Sequence, residues 1–332
     1  MAHPIHQASE NSPFGDLTKE EFYKTHHVIH QEEFILNKGN MKIFTQSWYP
    51  DATNMAQLKG LVAMVHGYIS ESSWIFQLTA TAIAKLGFFV CALDLQGHGY
   101  SDGSYGHIPD IHPVVDDCIQ FFNTCRADHP KLPAFLYGES LGGAIAILIS
   151  LKQKGLWNGL LLNGAMCGVS PRYKPAWPLE KLLPMAAYFA PKWRIAITKP
   201  LASKSYKEEW KRRLVVKSPN CRSSGKPSAA TALEFLRVCE KIKKRFHKLE
   251  LPLLVVHGED DLVCDSDSAR LVYELAGSKD KTLKIFPGMW HQLIGETKEN
   301  VELVFQTIFS WLRDQADIAV LPPMNNLLSP NV

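Results

Sequence analysis

From residue 28 onward, short apolar runs of strand length alternate with longer segments whose apolar residues recur at helical spacing. Residues 28–36 and 41–49 flank Asn37-Lys38-Gly39-Asn40, which is a hairpin signal. Residues 61–66, 88–94, 134–137, 157–163, 253–257 and 282–286 read as strands. Between them, residues 74–86, 111–126, 143–152, 232–246, 268–275 and 300–312 read as helices, the first with Ser72 or Ser73 as N-cap. Such alternation implies right-handed crossovers and a mostly parallel sheet with helices on both faces, an α/β architecture. The leading hairpin adds an antiparallel margin to that sheet.

The alternation stops between Gly164 and Lys226. Pro171, Pro175, Pro178, Pro184, Pro191 and Pro200 crowd this stretch, mixed with Tyr173, Trp177, Tyr188, Phe189, Trp193, Tyr206 and Trp210. It is too short for a core of its own, so it reads as a cap of short helices inserted between a strand and the next helix. The expected organisation is a loose N-terminal arm over 1–24, a core over 25–164 and 227–315, a cap over 165–226, and a tail over 316–332. No internal repeat or low-complexity tract interrupts it.

Composition narrows the function classes. Of 332 residues, 46% are hydrophobic and 21% charged, an ordinary globular balance. A formal net charge of +3 is too small to argue for a nucleic-acid partner. Lys211-Arg212-Arg213 and the run 241–245 read as solvated helix faces. Seven cysteines, without C-x-x-C, argue against a disulfide framework or a cysteine zinc site, and suit a reducing, cytoplasmic setting. The N-terminus lacks the basic and apolar regions of a signal peptide, and the longest apolar run is too short to cross a bilayer. A soluble protein is expected.

The chemistry centres on residues 134–149, where an apolar strand breaks at Gly138 and resumes after Gly143 as an apolar helix. Ser140 sits at the break inside G-x-S-x-G, the form of a nucleophile elbow. Gly138 and Gly142 would relieve contacts that a Cβ makes in so tight a turn. Gly99-Tyr100-Ser101-Asp102-Gly103 matches the same pattern, but no strand enters it and no helix leaves it. Ser101 therefore reads as a loop serine.

A serine hydroxyl needs a base, and the base needs a carboxylate to orient it. When acid and histidine follow the serine in the chain, only His291 among thirteen histidines lies beyond the strand-end acids Asp260 and Asp261. Either aspartate can serve on this reading. The oxyanion that develops on the substrate needs two backbone N–H groups, one from Leu141 after the nucleophile and one from Tyr68 in the loop after an earlier strand. His66 precedes the serine and ends a strand, so a bracing role suits it.

Taken together, His66-Gly67, Gly97-His98-Gly99-x-Ser101-Asp102-Gly103, Gly138-Glu139-Ser140-x-Gly142-Gly143, His257-Gly258-x-x-Asp261 and Gly288-Met289-Trp290-His291 resemble the monoacylglycerol lipase branch of the α/β-hydrolases. The likeness runs from about residue 28 to 313 and is marked toward plant lipase-like members, which include caffeoylshikimate esterases. The resemblance implies Asp261 as the acid, Tyr68 and Leu141 as oxyanion donors, a mobile apolar cap, and loose association with a membrane surface. One departure is Ile69, where many members carry a second glycine. Cys264 resembles a cysteine near the lipase site, either open to thiol reagents or a buried structural thiol.

The implied reaction is acyl transfer through a seryl ester, with no metal or organic cofactor. Monoacylglycerols are the first expected substrate class and hydroxycinnamoyl esters the second. Transfer to an alcohol in place of water, and a non-catalytic receptor, are the other readings. The cap segment 182–190 is almost wholly apolar, which points to Met185 and Phe189 as contacts for an acyl chain.

Overall fold

The computed structural model describes residues 2–51, 58–169, 179–194, 202–220 and 226–321. Eight strands form one sheet in the order β1-β2-β4-β3-β5-β6-β7-β8. The hairpin β1 (Val28–Leu36) and β2 (Lys42–Pro50) is antiparallel, and β2 runs antiparallel to β4 (Phe88–Leu93). The others, β3 (Gly60–Val65), β5 (Ala134–Glu139), β6 (Gly159–Asn163), β7 (Leu253–Gly258) and β8 (Lys281–Phe286), pair in parallel with their neighbours. β3, β5, β6 and β7 are buried at every position, as strands covered on both faces must be.

Two apolar layers cover the sheet. On one face, α3 (Ile111–Asp128), α4 (Leu141–Lys152), α8 (Ala229–Lys243) and α9 (Ser266–Leu275) bury Val115, Phe122, Ile145, Ile242 and Val272. On the other, α1 (Lys19–Thr25), α2 (Phe76–Ala84) and α10 (Lys298–Val320) bury Phe22, Leu78, Ile83, Phe305 and Ile308. The carboxyl ends of β3, β5, β7 and β8 open on one edge, where an open α/β sheet takes its ligand.

Several expectations need correction. The N-terminal arm is not loose: Ile5 and Phe22 are fully buried, and His3 donates its backbone N–H to Glu302 Oε1 at 2.7 Å. Scattered apolar residues in a polar stretch carry no periodic signal, yet burying each one on α2 and α10 is favourable. Thr18 and Glu21 close a capping box that starts α1. At the other end, α10 continues to Val320 instead of giving way to a tail at 316, because Gln315 and Ala316 are still covered by the body. Helix α2 begins at Phe76 with no side-chain cap. Ser72 is committed elsewhere, donating its backbone N–H and its hydroxyl to Asp94 Oδ1.

In the insert, α5 (Leu179–Phe189), α6 (Ala202–Ser205) and α7 (Glu209–Val216) are described. Pro171, Pro175, Pro178, Tyr173, Trp177, Pro200 and Cys221 lie outside the described residues. Ala165, Met166 and Cys167, the first residues assigned to the cap, are buried with the main core. Lys211 is not on a solvated face: it is 2% exposed.

Candidate active site

Ser140 stands between β5 and α4 with φ 54° and ψ −121°, a backbone region that costs a non-glycine residue about 1–3 kcal/mol. Its surroundings hold it there. Ser140 N–H donates to Asn163 O at 3.1 Å, and Met166 N–H donates to Ser140 O at 2.7 Å. A Cβ on Gly138 would strike the Gly142–Gly143 backbone, one on Gly142 the carbonyls of Val65 and His66, and one on Gly143 the Ala165 side chain. The two glycines expected to matter are thus joined by a third, which a pattern of five residues does not contain.

His291 follows β8 and reaches the serine from the side. Its Nε2 lies 3.0 Å from Ser140 Oγ, and its Nδ1 lies 2.7 Å from Asp261 Oδ2. Gly164 and Gly258 make room for this loop, since a Cβ on either would press into the carbonyls of His291 or of Met289 and Trp290. The two aspartates differ in placement. Asp261 is buried, whereas Asp260 is exposed. Asp261 Oδ1 accepts the backbone N–H groups of Val263 (2.7 Å) and Cys264 (2.9 Å). Its Oδ2 also lies 3.0 Å from Nε2 of the fully buried His257.

The electrostatics follow from this packing. Burial alone would raise the Asp261 carboxyl, but His291 and His257 hold it well below the usual carboxylate range. Burial alone would lower the His291 imidazole, yet the Asp261 charge and hydrogen bond, with a smaller effect from Glu139, leave it above its usual value. The Glu139 carboxyl, beneath the serine, is pushed up to about 7 by burial, against hydrogen bonds from Gln292 and Tyr137. Tyr137 Oη in turn accepts from Asn163 Nδ2 at 2.6 Å. Glu139 stands in the serine motif, but G-x-S-x-G leaves the position before the serine open and gives it no role.

The loop after β3 faces the serine: a Cβ on Gly67 would sit 3.1 Å from Ser140 Cβ. Gly67 therefore packs against Ser140, Tyr68 follows it in the same loop, and Leu141 takes the first position of α4, where a helix N–H has no intrahelical acceptor. His66 braces this loop. Its Nε2 accepts Leu95 N–H at 3.0 Å, which leaves Nδ1–H to donate to Gly67 O at 2.8 Å, and burial lowers its pKa to about 4. Ile69 takes φ 56°, the conformation a glycine would prefer, so the loop keeps the glycine path at the expense of strain.

The remaining expected residues are placed as follows. Ser101 stitches the margin of the sheet, its Oγ donating to Asp94 O at 2.6 Å and accepting Phe44 N–H at 2.9 Å. Cys264 is 2% exposed, its thiol beside the Ser140 hydroxyl and pushed up by burial. Met185 and Phe189 are 53% and 76% exposed. Helix α5 turns Leu183, Ala186 and Ala187 onto α8 and leaves Leu182, Met185, Tyr188 and Phe189 uncovered, so these two side chains do not line an enclosed pocket in this conformation.

A buried serine, histidine and aspartate thus lie in hydrogen-bonding sequence at the carboxyl edge of the sheet, the arrangement that serine hydrolases of the α/β-hydrolase fold use. The chain belongs to the family described as Serine aminopeptidase, S33, whose profile matches residues 56–298. It is 33% identical to caffeoylshikimate esterase of Arabidopsis thaliana over 306 residues, 91% of each chain. It is 29% identical to human monoglyceride lipase over 287 residues, 86% of this chain and 91% of the lipase. Among solved structures, a soluble variant of Saccharomyces cerevisiae monoglyceride lipase superposes with a TM-score of 0.75 at 21% identity, covering 86% of this chain and 95% of that one. Among the described residues, no helix is long and apolar enough to cross a membrane.

Proposed function

We propose that this chain hydrolyses carboxylic esters of apolar acyl groups, with monoacylglycerols as the first substrate class. The observation that carries the reading is the unbroken hydrogen-bonding line from Ser140 Oγ through His291 to Asp261. In this mechanism His291 Nε2 takes the Ser140 proton as Oγ attacks the ester carbonyl. Backbone N–H groups of Tyr68 and Leu141 hold the oxyanion. His291 then returns the proton to the leaving alcohol, and water activated by the same imidazole releases the acid. Asp261 keeps Nδ1 protonated and stabilises the imidazolium as it forms.

The exposed apolar face of α5 supports an acyl-chain substrate, since each methylene buried against it is worth about 0.8 kcal/mol. The same face suits loose contact with a membrane surface. Buried cysteines outside any disulfide, at Cys91, Cys118, Cys125, Cys167, Cys239 and Cys264, suit a reducing compartment such as the cytoplasm. A second reading, hydrolysis of a hydroxycinnamoyl ester, is favoured by the 33% identity to the plant esterase. The deciding experiment compares kcat/KM for acetyl, butyryl and octanoyl glycerol esters with that for a caffeoyl ester. A rise from acetyl to octanoyl, flattened by charged substitutions at Met185 or Phe189, is expected. Caffeoyl and acetyl esters outpacing every medium-chain monoacylglycerol would refute the lipase reading and leave the serine-hydrolase reading standing.

A further inference from the structure

Lys211 belongs to α7 of the insert, 80 residues before His291 in the chain. Lysines on helices usually keep the ammonium in water. Here Arg213 is exposed while Lys211 is buried, although taking an ammonium out of water costs several kcal/mol unless it is hydrogen-bonded. Its Nζ donates to Ile294 O at 2.9 Å and to Glu296 O at 2.5 Å, and lies 5.3 Å from the centre of the Trp210 ring. A methionine would fill the same space without the desolvation cost, so apolar packing alone does not explain a lysine here. Both acceptors lie in the loop that carries His291.

That loop, residues 288–296, contains only one short turn of 3-10 helix. It is held from the insert at several further points. Lys207 Nζ donates to Gly288 O at 2.8 Å and lies 3.7 Å from Glu296 Oε2. The fully buried Glu296 accepts Trp290 N–H at 2.6 Å, immediately before His291. Gln292 N–H, immediately after His291, donates to Ser205 O at 2.8 Å. Lys207 and Glu208 N–H both donate to Gly295 O, and a Cβ on Gly295 would collide with Tyr206. The backbone on each side of the imidazole is thus tied to groups that the insert supplies or fixes.

We propose that Lys211 is a positioning residue for His291: with Glu296 and Lys207 it pins the 288–296 loop to the insert and so sets where the imidazole stands between Ser140 and Asp261. The stretch from Ser205 to Lys211 is then part of the fixed catalytic frame and not of a moving lid. The ammonium is retained at neutral pH, since burial lowers it only to about 8. The inference rests on the ester-hydrolase reading, and its consequence is kinetic. A displacement of about 1 Å in a base that must lie 3.0 Å from its nucleophile costs up to about 100-fold in rate.

The test uses the full chain with Lys211→Met, which keeps the apolar stem, and Lys207→Met, at a lysine whose side chain is partly exposed. Three quantities are measured well below each variant's melting temperature: kcat and KM on an ester, and the rate constant for fluorophosphonate labelling of Ser140 between pH 6 and 9. For Lys211→Met, kcat and the labelling constant should fall about 10- to 100-fold with KM nearly unchanged, and for Lys207→Met they should fall several-fold. If folded variants label and turn over at wild-type rates while only Tm drops, these lysines merely support the fold and the proposal is overturned. If Lys211→Met does not fold, unchanged rates for Lys207→Met overturn it in the same way. Wild-type protein that labels at Ser140 but cleaves no ester would sink the ester reading alone, and the labelling ratios would still decide the positioning role. Wild-type protein that does not label at Ser140 would defeat both.

Discussion

Glu139→Gln isolates one buried charge next to the nucleophile. The side chain is 7% exposed, and burial raises its carboxyl from 4.5 to about 7. The unfolded chain ionises near 4.5 while the folded chain stays protonated until about 7, so the native state binds more protons between those values. Stability that is fully present below pH 4.5 is therefore lost as the pH rises through 7. At about 1.4 kcal/mol per pH unit, the interval from 4.5 to about 7 is worth about 3 kcal/mol. Glutamine keeps the shape and stays neutral. The variant should match wild type near pH 4.5 and exceed it by up to about 3 kcal/mol above pH 7. For a chain of 332 residues that is a rise in Tm of about 4 °C at pH 8. The measurement is the difference between the two melting curves at several pH values, because the difference cancels the titrations that Glu139 does not touch, with His291 the linked exception. A second readout is the acid limb of kcat/KM. Wild-type His291 titrates above its usual 6.5, and the Glu139 charge contributes to that, so the limb should move to lower pH in the variant. A stability difference that stays flat from pH 4.5 to 8, or a limb that moves upward, would refute the reasoning.

Three further outcomes test the site. Ser140→Ala should reduce ester hydrolysis by several orders of magnitude, because nucleophile and base act as a unit, while folded Ser101→Ala should keep most activity. The opposite result would mean that the wrong G-x-S-x-G was chosen. Asp261→Asn should lower kcat by about three to four orders of magnitude through loss of the acid that sets the imidazole tautomer, and Asp260→Asn, at an exposed position, should change it little. Equal losses in two folded variants would place the orienting acid elsewhere. Cys264, buried and with its thiol pushed up, should resist iodoacetamide in the native protein at pH 8 and react only on unfolding, as peptide mass analysis of partially modified protein would show.

Some of this protein was legible along the chain because the signals are local. A strand covered on both faces is a near-continuous apolar run, which made β3, β5, β6 and β7 readable, up to the polar residues at the carboxyl ends of the last three. The elbow is a contiguous turn, and its glycines declare the absence of side chains there. The order of serine, acid and histidine left His291 alone as a base. What the chain could not express is contact between residues far apart in it. The exposure of Asp260 and burial of Asp261 depend on which side of the β7 edge faces β8. Ile5 looks like one apolar residue in a polar arm until α2 and α10 close over it. Lys211 reads as one of three neighbouring surface cations, and only the carbonyls of Ile294 and Glu296 make its burial tolerable. Glu139 looks like a free position in a motif, and becomes a charge acting on His291 only once β5 and β8 bring the two together. Local pattern records whether a side chain is apolar, small or able to turn the backbone. Its electrostatic environment is set by whatever the fold packs against it, and that is decided by tertiary structure.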